Sequence, residues 1–287
     1  MNDYVVITPL RNEEEHLDEL YESMVAQTVQ PSRWILVDDG STDRSGTMVD
    51  GYADAHDWIV VTHREDRGAR APGGGIVEAF MSGYELAPKS WDFIVKFDAD
   101  LAFEPDYFER CLAHFEDDAS LGIGGGEIID RLTEGTTQKK KYPAFHVRGA
   151  TKIYRRACWD QIGGLVVAKG WDTIDEVKAN QLGWQTRSFP DVILTQQRET
   201  GRRAGPWADW RKNGQAAWFC GYHPAFSLAR SVRMALQRPY LIQGVAFAWG
   251  YIRAMATRAP QVDDPALRRY VRRQQRNRLL RRETIWR

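Results

Sequence analysis

Cysteine is scarce. The three present, Cys111, Cys158 and Cys220, are far apart, odd in number and form no CxxC pair. That pattern excludes a disulfide framework and a thiolate zinc site, and it leaves free buried thiols in a reducing cytoplasm as the expectation. Two phosphate-binding signatures are missing as well. No GxGxxG follows the first apolar strand and no loop ending in GK[ST] occurs anywhere, so neither the dinucleotide route nor the Walker route to phosphate is available. The opening MNDYVVITPL lacks a basic region followed by a long apolar stretch, and no secretory leader is expected. Long apolar runs are absent too. The segment from Pro239 to Ile252, interrupted by Gln243, falls short of the roughly 20 residues a spanning helix needs.

What is there suffices for a folded core. Of 287 residues, 43% are hydrophobic, and 39 basic residues balance 39 acidic ones. The balance hides an asymmetry: from Leu228 onward there are 14 Arg and no Lys against three acids, so the body is acidic and the tail basic.

The first 130 residues alternate short apolar strands with amphipathic helical patterns. Strands are expected at Tyr4 to Thr8, Trp34 to Asp38, Trp58 to Thr62, Phe93 to Phe97 and Leu121 to Ile123. Helices are expected over EEEHLDELYESMVAQ, TDRSGTMVDGYADAH, GGIVEAFMSGYELA and PDYFERCLAHFED, with Thr42 or Asp43 capping the second and Pro105 in the first turn of the fourth. This alternation calls for an α/β fold with a mostly parallel sheet covered on both faces. A strand to helix unit at HVRGATKIYRRACWDQIGG, a helix in GWDTIDEVKANQLGW and a strand in TRSFPDVILT follow. The Arg-rich last third reads as helical, broken at Pro224, Pro239 and Pro260.

Such sheets bind ligands at the carboxyl ends of their strands. TPLRNEEE, DDGSTD, HREDRG and DAD follow the first four strands, so these polar clusters are expected on one rim. In KFDADLAFEPDYF, strand alternation would put Asp98 and Asp100 on one face, where like charges repel unless a cation intervenes. The pair has three readings: a solvated turn, a divalent metal site or an acid/base pair. Hard Mg2+ or Mn2+ use one or two carboxylates plus substrate phosphates, and that reading accounts for all four clusters together. In VDDGSTD, Gly40 permits a tight turn, and Asp38 or Asp39 can accept hydrogen bonds from a base or ribose.

TPLRNEEE, VDDGSTD and FDAD, in this order and spacing, resemble the inverting family 2 glycosyltransferases over residues 1 to about 190. The resemblance implies a Rossmann-like, nucleotide-sugar-binding glycosyltransferase A-type fold. It implies a nucleotide-diphosphate sugar as donor, a saccharide or lipid-linked acceptor hydroxyl, and Mn2+ or Mg2+. It places Pro9, Arg11 and Glu13 beside the nucleoside, Asp39 on base or ribose, Asp98 on ribose or metal, and Asp100 on the metal. The family's base is an Asp following a Glu at the start of a helix that ends in a Gly-aromatic turn. Counting back from Gly183 gives Asp172, with Trp171 where Glu is usual and Asp175 and Glu176 as competitors; the structural alternative is that Asp172 caps the helix. Arg67 and Arg70 are candidates for the donor phosphates, as are Arg198, Arg202 and Arg203, while a lone His such as His146 is expected to be structural.

Residues 1–205 are thus expected to form the catalytic domain, with 1–130 for the nucleotide sugar and 131–205 on the acceptor side. Residues 206–287 form a helical extension. Nine Arg among residues 268–287, interspersed with Leu267, Tyr270, Val271, Leu279, Leu280 and Trp286, suit an anionic membrane surface. Self-association through these helices is the other option, and nucleic acid is not expected because the rim is acidic. The expected location is the cytoplasm, peripheral on the inner face of the membrane. Two alternatives remain: a nucleotidyltransferase on a related fold, and a noncatalytic nucleotide-sugar scaffold, which Trp171 would favour.

Overall fold

In the computed structural model, residues 3–66, 68, 74–132, 136–140, 142–197, 205–238 and 240–286 are described. The chain runs β1 (Tyr4–Leu10), α1 (Leu17–Val25), β2 (Arg33–Asp38), α2 (Ser45–Ala55), β3 (Ile59–His63), α3 (Gly74–Tyr84), β4 (Phe93–Phe97), β5 (Leu101–Phe103), α4 (Tyr107–Asp117) and β6 (Leu121–Arg131). It continues with β7 (Thr137–Lys139), β8 (Thr151–Arg155), α5 (Arg156–Ile162), α6 (Trp171–Gln181), β9 (Gln185–Gln196), α7 (Pro206–Phe219), α8 (Pro224–Ala235), α9 (Ile242–Ala256) and α10 (Pro265–Leu279).

The sheet order is β3-β2-β1-β4-β8-β6-β9-β5, with β7 hydrogen-bonded to β6. β3, β2, β1 and β4 are mutually parallel. β8 is wedged antiparallel between β4 and β6, so β6 and its parallel neighbour β9 keep the direction of the first four strands. The carboxyl ends of six strands therefore share one rim, joined there by the amino ends of β8 and β5.

Strands β1 and β4 are buried throughout, as parallel strands covered on both faces must be. Their side chains alternate between two cores. Tyr4 and Val6 pack with Leu17, Leu20 and Met24 of α1 and Phe108 of α4, while Val5 and Ile7 pack with Phe80 of α3 and Trp159 of α5. A third core joins Ile174 and Val177 of α6 and Phe145 to Ala217, Met234, Phe247, Tyr251, Leu267, Val271 and Trp286.

Several expectations change here. β4 stops at Phe97, and residues 98–100 form a turn into β5, so strand alternation does not govern Asp98 and Asp100. Gly170, at φ 96°, is the N-cap of α6; Asp172 lies inside the first turn and does not cap. The N-cap of α2 is Arg44 rather than Thr42 or Asp43, though Asp43 Oδ1, one residue earlier, accepts the Ser45 N–H at 2.9 Å. In the tail, Leu267, Val271 and Trp286, assigned to lipid from composition, are core residues. Arg268 donates to Gln261 at 3.0 Å and Arg272 to the Gly221 carbonyl at 3.1 Å, so two of the nine arginines tie α10 to the connections before α10 and between α7 and α8.

Candidate active site

The first two rim segments interlock. Arg11, directly after β1, is nearly buried; Nη1 donates to the main-chain oxygen of Asp39 at 2.8 Å and Nη2 pairs with Asp66 at 2.5 Å. Arg64 binds the Asp39 carboxylate at 2.6 Å. Asn12, at φ 53°, donates its N–H to Ser41 Oγ at 3.0 Å and accepts the Thr42 N–H at 2.8 Å, and Glu13 N–H donates to Ser45 Oγ at 2.9 Å. Gly40 has φ 74°, and a Cβ there would lie 2.5 Å from the Asp66 main chain, so the turn requires glycine on both counts. Pro9 is buried in β1 opposite Val37.

Asp38 is occupied inside the turn. Its Oδ1 accepts the Ser41 N–H at 2.9 Å, and its Oδ2 faces His63 Nδ1 at 2.9 Å. The other imidazole nitrogen faces Asp50 at 2.9 Å. Only a protonated ring donates in both directions, so the hydrogen bond to Asp38, and then that to Asp50, pushes His63 above its ordinary value. Of the two adjacent acids, Asp39 is the one at the rim.

At the end of β4, Lys96 Nζ bonds Asp98 Oδ1, and the Asp98 N–H donates to Ala150 at 2.9 Å. The neutralising cation is thus the buried Lys96, from the same strand. Asp100 turns elsewhere: Gln196 Nε2 lies 3.2 Å from both of its oxygens, and its carbonyl accepts the Gln197 N–H at 2.8 Å. Arg148 donates to the Gln196 side-chain oxygen at 2.6 Å, which obliges the amide nitrogen to face Asp100. Arg148 is itself fixed by the fully buried Asp130 at 2.6 Å, where Lys140 adds a second cation at 2.7 Å. Among the described residues no group of three or more His, Cys, Asp and Glu is placed to hold a metal ion by itself. The donor set is two carboxylates on one turn, which fits a hard divalent ion that fills its shell with water and substrate phosphate.

Asp172 comes close to the residue next to Ala150. A Cβ on Gly149 would lie 3.0 Å from the Trp171 ring and 3.4 Å from the Asp172 Cβ, while Ala150 is bonded to Asp98. Asp98 and the first turn of α6 therefore both meet the two-residue segment Gly149–Ala150. Lys96 and Lys152, cross-strand neighbours on β4 and β8, place their Nζ 5.6 and 5.3 Å from the Trp171 ring centroid.

Asp175 and Glu176 face inward. Lys152 Nζ lies 2.9 Å from Asp175, 2.8 Å from Glu176 and 2.6 Å from the Asp172 carbonyl. Tyr154 donates to Asp175 at 2.6 Å, while His146 and the Val147 N–H bind Glu176 at 2.9 and 2.7 Å. Burial pushes Asp175 up to about 6. It pushes Glu176 up too, but His146 and Lys152 outweigh it and hold Glu176 below the ordinary carboxylate range. Of the three acids on α6, Asp172 alone is partly exposed.

The family model for glycosyl transferase family 2 matches residues 5–167. The chain belongs to glycosyl transferase family 2. Among its relatives, an undecaprenyl-phosphate 4-deoxy-4-formamido-L-arabinose transferase from Proteus mirabilis is 33% identical over 156 residues, 53% of this chain and 42% of that protein. A polyprenol monophosphomannose synthase from Mycolicibacterium smegmatis is 30% identical over 122 residues, 42% of this chain and 43% of that protein. The chain thus spans less than half the length of these curated relatives. In fold, this family 2 chain is similar to the mannosyltransferase PcManGT from Pyrobaculum calidifontis in complex with GDP-Man and Mn2+, with TM-score 0.57 and 18% identity, covering 93% of this chain and 79% of that one. Staphylococcus aureus TarS 1-349 in complex with UDP-GlcNAc gives TM-score 0.56 at 16% identity, covering 88% and 73%. The architecture is the mixed α/β glycosyltransferase A fold.

Arg67, Arg70, Arg198, Arg202 and Arg203 lie outside the described residues. The remaining site residues of this family 2 chain fall on or beneath one rim. Sequence reasoning missed Lys96, Lys152, Arg148, Asp130 and Gln196. The lysines carried a readable signal, a charge inside the apolar strands FIVKF and TKIYR; the other three carried none.

Proposed function

We propose that the protein transfers a sugar, with inversion, from a nucleotide-diphosphate sugar to a hydroxyl of a saccharide or lipid-linked acceptor, with Asp172 as general base. The observation that supports this reading is the shared rim: Arg11, Asp39, Asp98 and Asp100 follow strands whose carboxyl ends meet there, and Asp98 bonds Ala150 while the partly exposed Asp172 lies beside Gly149, one residue away. Arg11, Glu13 and Asp39 form the nucleoside wall, with Pro9 beneath it. Asp98 and Asp100 would hold Mn2+ or Mg2+, and a bound ion supplies charge stabilisation to the departing diphosphate. Gln196, held by Arg148, fixes the position of the Asp100 carboxylate.

In the transfer step the acceptor oxygen forms a bond to the anomeric carbon as the bond from that carbon to the diphosphate oxygen breaks. The electron pair leaves with the diphosphate, and the hydroxyl proton passes to the Asp172 carboxylate. Attack opposite the leaving group inverts the centre. Asp175 and Glu176, sealed against Lys152, serve α6 rather than the acceptor. The relatives, an undecaprenyl-phosphate 4-deoxy-4-formamido-L-arabinose transferase and a polyprenol monophosphomannose synthase among them, support an acceptor carried on lipid and a site of action at the membrane surface.

A thermal-shift screen of nucleoside diphosphates with and without Mn2+ tests the donor side, since a ligand selective for the native state raises its melting point. One nucleotide should act in a metal-dependent way, and Asp100→Ala should abolish the metal-dependent part. Asp172→Asn should keep that shift while losing turnover; normal turnover in that variant would remove Asp172 from the base role.

A further inference from the structure

The α8–α9 hairpin carries an apolar face that the third core does not use. Leu228, Val232 and Leu236 recur at helical spacing along α8, and Val245, Trp249 and Ile252 along α9; each is between 49% and 73% exposed. The helices touch where a Cβ on Gly244 would lie 2.3 Å from the Ser231 carbonyl and 2.7 Å from the Ala235 Cβ. They run antiparallel, since Tyr251 bonds the Tyr222 carbonyl at 2.7 Å and Arg230 lies over Phe247 at 5.1 Å. In an antiparallel pair, residues about 100° on from the contact line emerge on the same side of both helices. Val232 and Val245 each follow the contact residue by one position, so the two stripes make a single surface.

The charge carried by α8, α9 and the link between them has one sign. From Trp210 to Val262 the chain contains no Asp or Glu, but it contains Arg211, Lys212, Arg230, Arg233, Arg238, Arg253 and Arg258. Arg233 and Arg253 are exposed and lie farther round their helices than the apolar stripes, on the flanks of the face, and the exposed Arg238 sits in the link. A second copy seated on the same face would set these cations against each other, which association of like surfaces does not tolerate well. A leaflet bearing anionic headgroups meets both demands, apolar depth for the side chains and negative charge for the rim. At 15 residues α9 is about 22 Å long, too short to cross the roughly 30 Å hydrocarbon core, so it would lie in the interface. No described helix is long and apolar enough to span.

We propose that the α8–α9 face, rather than the arginine-rich α10, docks the protein on an anionic bilayer, with Leu236, Trp249 and Ile252 entering the headgroup boundary. This deepens the membrane-surface reading above and rests on it. The test is co-sedimentation of the full chain with vesicles of phosphatidylglycerol and phosphatidylcholine, beside vesicles of phosphatidylcholine alone. The triple variant Leu236→Glu, Trp249→Glu, Ile252→Glu should bind the anionic vesicles more weakly by more than about tenfold. Its melting temperature and nucleotide-dependent thermal shift should match the parent's. Arg233→Ala with Arg253→Ala should lose binding mainly to the anionic vesicles, and this milder pair carries the test if the triple variant fails to fold.

Undiminished binding by both variants would overturn the assignment of the face while leaving membrane association intact. Failure of the parent to bind either vesicle would overturn both. A parent dimer by analytical ultracentrifugation that becomes monomeric in the triple variant would give the face to a second copy and overturn the proposal. The nucleotide-dependent shift stands apart from all of these outcomes, so the glycosyltransferase reading is judged separately.

Discussion

Lys152, on β8, donates to the main-chain carbonyl of Asp172 at 2.6 Å while its ammonium neutralises Asp175 and Glu176 one turn further along α6. The carbonyl bond fixes where the first turn of α6 begins. The two ion pairs fix which face of α6 turns inward. Asp172 lies on the same face one turn earlier, at the amino end of α6, where its side chain is partly exposed beside Gly149.

Removing this ammonium should be costly. Lys152→Met leaves two carboxylates in the core without their shared cation, and the loss should be about 3–5 kcal/mol. Urea unfolding measures it. Adding Asp175→Asn and Glu176→Gln should restore part of the stability, because the uncompensated charge is then gone. If the single variant unfolds at the parent's midpoint, the buried triad does not hold the helix.

The three acids of α6 should separate in their effects. Asp175→Asn should mainly lower the urea midpoint, since Asp175 is enclosed by Lys152 and Tyr154. Asp172→Asn should keep the midpoint and lose turnover by about 100-fold or more, the scale of a general base. Equal losses of turnover in two folded variants would make the accessibility argument wrong.

Gln196 provides a test on the metal side with no chemistry of its own. Gln196→Leu removes the amide that faces Asp100 and strands the Arg148 partner, and a hydrogen bond to a charged group contributes about 1.5–3 kcal/mol. The Mn2+ concentration needed for half of the nucleotide-dependent thermal shift should rise by about tenfold. An unchanged metal titration would mean that Asp100 is aimed by other contacts.

Stability should depend on pH through His63. Its hydrogen bonds to Asp38 and Asp50 raise it above the ordinary value of about 6.5. Because the folded value exceeds the unfolded one, the contribution is full below about pH 6.5 and is lost as pH rises through the folded value. His146 moves in the same direction: burial pushes it down, but the charge and hydrogen bond of Glu176, with Asp172, raise it overall. The informative measurement is therefore the difference between the parent and His63→Gln in urea midpoint across that range, which should shrink as pH rises. A constant difference would show that the imidazole is not charged in the fold.

The last residues should matter for folding. Trp286 packs on Phe145 at 5.0 Å and on Tyr222 and Phe226 at 6.2 Å each, so Trp286→Ala should cost about 3–5 kcal/mol. An unchanged melting temperature would mean that α10 is a passive appendage.

The sequence by itself determined the parallel half of the sheet and the residues at its rim. Apolar runs such as YVVIT and WILVD can only be strands buried on both faces, and the polar segments after them must then emerge together at one edge. Arg11, Asp39, Asp98 and Asp100 were legible at the rim for that reason, whereas Asp172 was singled out only by what the family resemblance implies. Only the tertiary structure decided what these residues touch. β8 enters between β4 and β6 against the direction of the series, and no periodicity records where a strand inserts. The pairs that aim the site, Asp100 with Gln196, Arg148 with Asp130 and Lys152 with α6, join segments distant in sequence. Burial also decided roles that composition could not: it sealed Asp175 and Glu176 away from the rim, drew Trp286 and Val271 into the core, and left the α8–α9 stripe outside. A pattern in the chain fixes which residues are apolar or charged, but the free energy of each depends on what it meets when water is removed.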